Sequence, residues 1–144
     1  MNGNSKRARE IFDSGNYTLV LYNEDEVITS SKRGVAPLIE LYRSGRDLSS
    51  FFAADKVVGR AAAFMYVLLG IKSVYAKCIS RPAIEVLEKA GIELEYGECV
   101  ERIASRDGKG LCPMESAVMG IDSASDAYEA ILRKQKELSS ISLG

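Results

Sequence analysis

KSVYAKCISRPAIEVLEKAGIELEYGEC, residues 72–99, is the stretch that decides the fold class. Residues 72–80 are rich in β-forming side chains, and residues 92–99 alternate between polar and apolar ones, which is typical of strands. Between them, residues 81–91 predict a helix that carries Pro82 in its first turn. A strand, a helix and a second strand in this order predict a repeating unit of an α/β sheet.

The segments before this unit predict a hairpin and a central helix. Residues 17–23 (YTLVLYN) and 26–32 (EVITSSK) predict a β-hairpin with a short acidic turn. Residues 55–69 predict a strong helix stopped by Gly70, and its second half is apolar on nearly every side, as in a buried helix. The tail, 139–144, is expected to fray. Further helices are predicted at 4–14, 113–119 and 123–138, and a short helix or turn at 34–45.

A hairpin followed by strand–helix units predicts an α/β fold. We expect three layers (α-β-α), with a mixed sheet in the middle and helices on both of its faces. The chain has 144 residues, which suits one domain, 1–144, with a real core. No repeat or linker divides it.

Composition limits the function classes. The net charge is −1, from 19 basic and 20 acidic residues, and 47% of the residues are hydrophobic. The absence of a basic excess argues against nucleic acid as a partner. The longest apolar run is about half as long as a bilayer requires, which argues against a membrane span. Without an apolar signal segment, and with free thiols expected, the predicted location is the cytoplasm.

The chain contains no histidine. This excludes His-based triads, His general bases and His metal ligands. The three cysteines, Cys78, Cys99 and Cys112, are spaced neither as a disulfide framework nor as a zinc motif. We therefore expect no metal and no cofactor, and acid–base chemistry would fall to Asp, Glu, Lys, Tyr or Cys.

The stretch GLCPMESAVMG, residues 110–120, places a cysteine at a helix start. Cys112, Pro113 and Glu115 fall at the cap, first and third positions, as in a capping box with a thiol in place of the hydroxyl. A thiol accepts hydrogen bonds poorly, whereas a thiolate would gain from the helix N-terminus and from nearby cations. Cys112 is therefore either a reactive thiol, opposed by the charge of Glu115, or an inert buried residue.

Lys56 and Arg60 lie four residues apart on the predicted helix 55–69, and so on one face of it. Two cations near a helix N-terminus oppose the helix dipole and each other. We expect compensation from Asp55, from a buried carboxylate elsewhere such as Glu115, or from a bound anion. The alternative is that both cations are solvated or engaged in structural ion pairs.

The junction between strand 72–80 and the next helix is a third candidate site. Ligands in open α/β sheets bind outside the carboxyl ends of strands. Ser80 and Arg81 lie at that edge and are candidate ligand-binding residues. The alternative for Ser80 is an ordinary helix N-cap.

Together, these segments resemble the cytidine deaminase-like superfamily, whose fold is a hairpin, a helix carrying an H-x-E motif, a strand, and a helix opening with P-C-x-x-C. The stretch ISRPAIEVLEKAGIELEY, 79–96, looks like the second signature. Pro82 matches the motif proline, and Ala83 and Val86 stand at the two cysteine positions. The first motif would fall near ADKVVGRAA, 54–62, which contains neither histidine nor glutamate. The four residues with which the superfamily activates a zinc-bound water are therefore absent.

More closely, ADKVVGRAAA (54–63) and GLCPMESAV (110–118) look like a prokaryotic group of unknown function, number eighteen ninety-three in that series. The resemblance covers most of the chain and implies no established activity. Because deaminase-like proteins are often oligomers, it implies a homodimer. It also implies that charged and thiol side chains stand where a deaminase holds zinc: Asp55, Lys56, Arg60, Cys112 and Glu115.

These features predict a zinc-free pocket of deaminase-like shape that binds a small anionic molecule. By analogy of fold, the ligand is a nucleotide or nucleoside derivative. Lys56 and Arg60 would hold the anion. Asp55 and Glu115 would accept hydrogen bonds from a polar ring or ribose, and Cys112 would line the site.

Two other classes of function remain open. In the first, the protein is an enzyme with Cys112 as nucleophile, activated by a cation and by the helix end, with Glu115 and Asp55 as further catalytic groups. In the second, it is a non-catalytic interaction module whose charged cluster is a structural network.

Overall fold

The computed structural model describes residues 3–105 and 107–143. Within these residues the chain forms a five-stranded mixed sheet and six helices. In chain order the elements are α1 (Gly3–Ser14), β1 (Leu19–Tyr22), β2 (Val27–Ser30), α2 (Ala36–Arg43), β3 (Phe52–Val58), α3 (Arg60–Leu69), β4 (Ser73–Ser80), α4 (Arg81–Lys89), β5 (Glu93–Val100), α5 (Pro113–Ala117) and α6 (Ala124–Leu143).

The sheet has the strand order β2-β1-β3-β4-β5. β1 pairs antiparallel with β2 and with β3, whereas β3, β4 and β5 run parallel to one another. The predicted hairpin and the predicted strand–helix–strand unit of residues 72–99 are therefore confirmed, and their ends differ from the observed ones by no more than two residues. The mixed α/β class is also confirmed.

The prediction of one helix over residues 55–69 is wrong. Residues Phe52–Val58 form the central strand β3, and helix α3 begins only at Arg60. The stretch FAADKVV resembles a helix in sequence because Ala and Lys favour helices, and because a strand buried on both faces does not alternate between polar and apolar residues. As a result, Lys56 lies on a strand and Arg60 on a helix, and they do not share a helix face.

The sheet buries apolar side chains on both faces. Successive strand residues point to opposite faces, and the core accordingly falls into two clusters. The smaller cluster joins α1 to the sheet, through Ala8, Phe12, Val20, Phe52, Ala54 and Tyr75. The larger cluster joins the sheet to α2, α3, α4 and α6, and includes Leu21, Leu38, Ala53, Met65, Tyr66, Val74, Leu87 and Ile131.

The burial of β3 is interrupted near the end of the strand. Asp55 and Val58 are both buried although they are three residues apart, and Lys56 and Val57 between them are exposed. This brings the side chain of Lys56 to the surface beside a buried carboxyl group.

Helix α6 continues to Leu143. Whether the tail 139–144 frays stays a prediction, and Gly144 lies outside the described residues. Within the described residues, no helix combines the length and the apolar character that crossing a membrane requires.

Candidate functional site

The N-terminus of α3 is closed by a carboxylate from a distant segment. Glu115, on the short helix α5, accepts hydrogen bonds from the N–H of Arg60 at 2.6 Å and from the N–H of Ala61 at 2.9 Å. The residue at the N-cap position is Gly59, which has no side chain to do this. Glu115 therefore satisfies two N–H groups that lack helical partners and places a negative charge at the positive end of the helix dipole.

Gly59 is required by this contact. A Cβ atom at this position would lie 2.5 Å from Oε1 of Glu115 and 2.6 Å from its carboxyl carbon. Only glycine leaves enough room for the carboxylate to reach the helix.

Arg60 ties the segment after α5 to α3. Its Nη1 donates to the carbonyl oxygen of Val118 at 2.7 Å, and its Nη2 contacts Asp122 Oδ1 at 3.3 Å. The guanidinium also lies over the ring of Phe64, 5.1 Å from its centre. The side chain is only 19% exposed. These contacts engage the guanidinium with structural partners within the protein.

A separate cleft lies between the start of β1, the loop before α2, and the end of β3. It encloses about 350 Å³. We call it the basic cleft. Its lining residues are Thr18, Leu19, Lys32, Arg33, Gly34, Pro37, Leu38, Asp55, Lys56 and Val57.

Three cationic side chains line the basic cleft: Lys32, Arg33 and Lys56. Lys32 contacts Glu40 Oε1 at 3.0 Å. Arg33 and Lys56 form no ion pair with any described residue, and both are exposed. The cleft therefore carries an excess of positive charge.

Asp55 is the buried acid of the basic cleft and is 9% exposed. The hydroxyl of Tyr66 donates to its Oδ2 at 2.5 Å, and the N–H of Val57 donates to its Oδ1 at 3.3 Å. Burial raises the pKa of Asp55 from 3.8 to about 7, and the hydrogen bonds from Tyr66 and from the backbone offset only part of that rise. Burial, together with the nearby Asp55, raises the pKa of Tyr66 well above its ordinary value. Asp55 can therefore exchange a proton near neutral pH.

Cys112 precedes α5 as its N-cap residue. Its carbonyl oxygen accepts from the N–H of Ser116 at 3.0 Å, and its own N–H donates to Ile103 at 3.0 Å. Its half-buried thiol makes no hydrogen bond to a described residue. Within the described part of the chain, no hydrogen bond or ion pair joins Cys112 to Lys56 or Arg60.

Ser80 and Arg81 lie at the carboxyl end of β4, as the sequence predicts. Ser80 is fully buried and caps α4, with its Oγ accepting from the N–H of Ala83 at 3.3 Å. Arg81 is exposed and pairs with Glu101 through Nε at 2.6 Å. Neither residue lines the basic cleft.

The other two cysteines lie on adjacent strands. Cys78 is opposite Glu98 in the sheet register, and Cys99 follows directly. Burial, Glu98 and Cys99 raise the pKa of Cys78. In residues 3–105 and 107–143, no group of three or more His, Cys, Asp or Glu side chains could hold a metal ion.

Sequence reasoning found Asp55 and Lys56 but missed Lys32 and Arg33. The only local signal for these two was a pair of cations just before the predicted helix 34–45. Their place in the same cleft as Lys56 arises from the two antiparallel pairings of β1, in which Leu19 lies opposite Ser30 on β2 and opposite Asp55 on β3.

A family model named TM1506, a domain of unknown function (DUF1893), matches residues 7–134. The chain therefore belongs to the DUF1893 family. Among solved structures, it is similar to a DUF1893 family protein, TM1506, from Thermotoga maritima. That likeness has a TM-score of 0.86 at 29% sequence identity, and covers 93% of this chain and 92% of the other. No curated protein matches the chain.

Proposed function

We propose that the basic cleft binds a small anionic molecule without the help of a metal ion. The observation that carries the proposal is the arrangement of charge: Arg33 and Lys56 have no ion-pair partner among the described residues and line the same cleft as the buried Asp55. Cations that lack a carboxylate partner and lie in a partly enclosed cleft attract anions more strongly than cations on an open surface.

The first turn of α2 supports the proposal. Gly34, Pro37 and Leu38 belong to the lining, so the start of this eight-residue helix lies at the cleft. The residue at its N-cap position, Val35, provides no side-chain hydrogen bond. The positive end of the helix dipole therefore adds to the charge of the three cations.

The lining residues do not suit zinc. They include one carboxyl group, Asp55, and no thiol or imidazole, whereas zinc takes three or four N, S or O ligands. The other charged side chains of the lining are cations, which repel a metal ion. The proposed site thus recognises an anion through side-chain charge.

A three-layer, deaminase-like arrangement is part of the same proposal. It is supported by the two apolar clusters on opposite faces of the sheet and by the order hairpin, α2, β3, α3. In that order, α2 stands where the superfamily has the helix with the H-x-E motif, and α3 stands where it has the helix that opens with P-C-x-x-C. Pro82 lies on α4, one strand–helix unit after the position that the second motif would take. The N-terminus of α2 lies at the basic cleft, while Glu115 closes that of α3. A nucleotide-like ligand follows from this analogy of fold.

The candidate residues predicted from the sequence have different roles in this proposal. Lys56, now with Arg33 and Lys32, holds the anion, and Asp55 contacts its inner end. Arg60 and Glu115 fix the segment around α5. The cytoplasmic location and the homodimer stay predictions.

The alternative functions differ in their support. The structural contacts of Arg60 and Glu115 favour the charged network that an interaction module would have. No contact of the Cys112 thiol favours a nucleophile, so the cysteine enzyme stays a prediction. Titrating the alkylation rate of Cys112 against pH, with Cys78 and Cys99 replaced by Ser, tests it.

Binding measurements on matched variants test the proposed function. The small molecules released from the purified protein on denaturation are identified by mass spectrometry, and sulfate and succinate serve as defined probes in calorimetry. We expect Lys56→Met and Arg33→Met each to weaken anion binding about tenfold or more, since each removes an uncompensated charge. Lys6→Met, at an exposed position outside the lining of the cleft, is the control and should change nothing. Equal binding by all four proteins would contradict the proposal.

A further inference from the structure

We infer that Asp55 donates a hydrogen bond to the ligand of the basic cleft through Oδ1, so that an anion and a proton bind there together. The inference rests on the proposed function and deepens it by naming the ligand class. The ligand is an oxyanion that presents an acceptor oxygen to Asp55, rather than a compound that presents an N–H group to it.

The two oxygens of Asp55 have different surroundings. Oδ2 receives the hydroxyl hydrogen of the fully buried Tyr66 at 2.5 Å. Oδ1 has a long contact with the N–H of Val57, at 3.3 Å, and the backbone N–H of Lys56 also interacts with the carboxyl group. In a neutral carboxyl group the carbonyl oxygen is the better acceptor, so Tyr66 favours Oδ2 as the carbonyl and Oδ1 as the hydroxyl. The proton therefore belongs on the oxygen that Tyr66 leaves free.

The other charged side chains that line the cleft with Asp55 are all cations. The neighbouring cations of the cleft are Lys56 on β3 and Lys32 and Arg33 in the loop before α2. Tyr66 faces it from α3, β1 contributes only the uncharged Thr18 and Leu19, and the acid of α2, Glu40, is engaged by Lys32. An anion among the cations neutralises them.

Binding of an anion must then raise the affinity of Asp55 for its proton. Burial already places the pKa of this carboxyl at about 7. A second negative charge nearby disfavours the ionised carboxylate further. The free protein holds the proton about half of the time near pH 7, whereas the complex holds it almost always.

This coupling predicts a measurable proton stoichiometry. Binding should take up about half a proton near pH 7, nearly one near pH 8 and almost none near pH 6. Above pH 7 the affinity should fall by up to tenfold for each pH unit, because the proton must first be bound.

Calorimetry with sulfate tests the inference, since the charge of sulfate is constant over this pH range. The heat of binding is measured in buffers of different ionisation enthalpy, which gives the number of protons taken up. Asp55→Asn should bind sulfate without proton uptake and without pH dependence, because its amide can direct its oxygen to Tyr66 and its NH₂ group to the position of Oδ1. Asp55→Ala should bind at least several-fold more weakly. Asp47→Asn, at an exposed carboxylate whose pKa is lowered by hydrogen bonds from Ser49, is the control and should leave proton uptake unchanged.

A second readout needs no substitution. The carboxyl carbon of Asp55, followed by NMR against pH, should titrate near neutrality in the free protein and at a higher pH in saturating sulfate. Lys56-dependent binding without proton uptake, together with loss of binding in Asp55→Asn, would overturn the inference and leave the proposed function standing. If neither sulfate nor succinate binds in a Lys56-dependent way, both are overturned.

Discussion

Oε1 of Glu115 lies 2.5 Å from the point at which a Cβ atom of Gly59 would stand. The carboxylate occupies this space because it accepts the N–H groups of Arg60 and Ala61 at the start of α3. Two segments more than fifty residues apart are thereby fastened at the end of the central strand. The anion position that the sequence suggests at this helix is filled by the protein itself, which leaves the basic cleft as the site for an external anion.

Gly59→Ala should destabilise the fold by about 1–3 kcal/mol, because the new methyl group forces Glu115 away from the helix. The measurement is urea unfolding followed by circular dichroism. Gly110→Ala is the matched control, since a Cβ at Gly110 would meet nothing within 4 Å. An equal effect of the two substitutions would contradict the account.

Glu115→Ala should cost about 1–2 kcal/mol, since it removes the cap of α3 and leaves two N–H groups without their partner. Combining it with Gly59→Ala should cost clearly less than the sum of the single changes, because both act on the same contact. Glu129→Ala, at an exposed position of α6, serves as the control. Additive effects of the two changes would show that Gly59 and Glu115 are not coupled.

Arg60→Met and Lys56→Met should separate structure from binding. Arg60→Met loses the hydrogen bond to the carbonyl of Val118 and should lower the free energy of unfolding by about 1–3 kcal/mol. Lys56→Met should change it by no more than about 0.5 kcal/mol, since this side chain is exposed and makes no ion pair with a described residue. Thermal and urea unfolding of both variants measures these changes. A larger loss of stability in Lys56→Met than in Arg60→Met would contradict a structural role for Arg60 and a binding role for Lys56.

The buried carboxyl of Asp55 should make the protein less stable as the pH rises. Its pKa is about 7 in the folded protein and near 3.8 in the unfolded chain. Between these values the folded state keeps a proton that the unfolded state has released, so the contribution of Asp55 to stability is greatest below about pH 4 and falls until about pH 7. The contribution is on the order of 4 kcal/mol. Tyr66 titrates far above this window and does not contribute to it.

Asp55→Asn isolates this contribution. The variant should be more stable than the wild type at pH 8, and the difference should shrink and vanish as the pH approaches 4, because the amide does not ionise. Urea unfolding at several pH values gives the comparison. Parallel stability curves for the two proteins would mean that Asp55 titrates normally.

The parts of the fold that the sequence predicted are those with local signals. The hairpin, β4, α4 and β5 each show alternation, turn residues or a capped helix within a short window. β3 was missed because it is buried on both faces and rich in alanine, so tertiary packing overrides its local preference for helix.

The residues of the candidate site likewise fall into those that the sequence predicts and those that only the fold brings together. Asp55 and Lys56 stood out as charges beside apolar residues. Lys32 and Arg33 did not, because only the pairing of β1 with both β2 and β3 brings them to the same cleft as Lys56. Glu115 was expected as a compensating carboxylate, and the structure joins it to the backbone of Arg60 rather than to its side chain.

The location of the bound anion tests the central claim most directly. Backbone amide shifts are recorded by NMR while sulfate is added to the labelled protein. The account predicts that the largest changes occur in the basic cleft, at Thr18, Gly34, Lys56 and Val57, and that they disappear in Lys56→Met. Largest changes at Arg60 and Ala61, where Glu115 now lies, or changes that persist without Lys56, would contradict it.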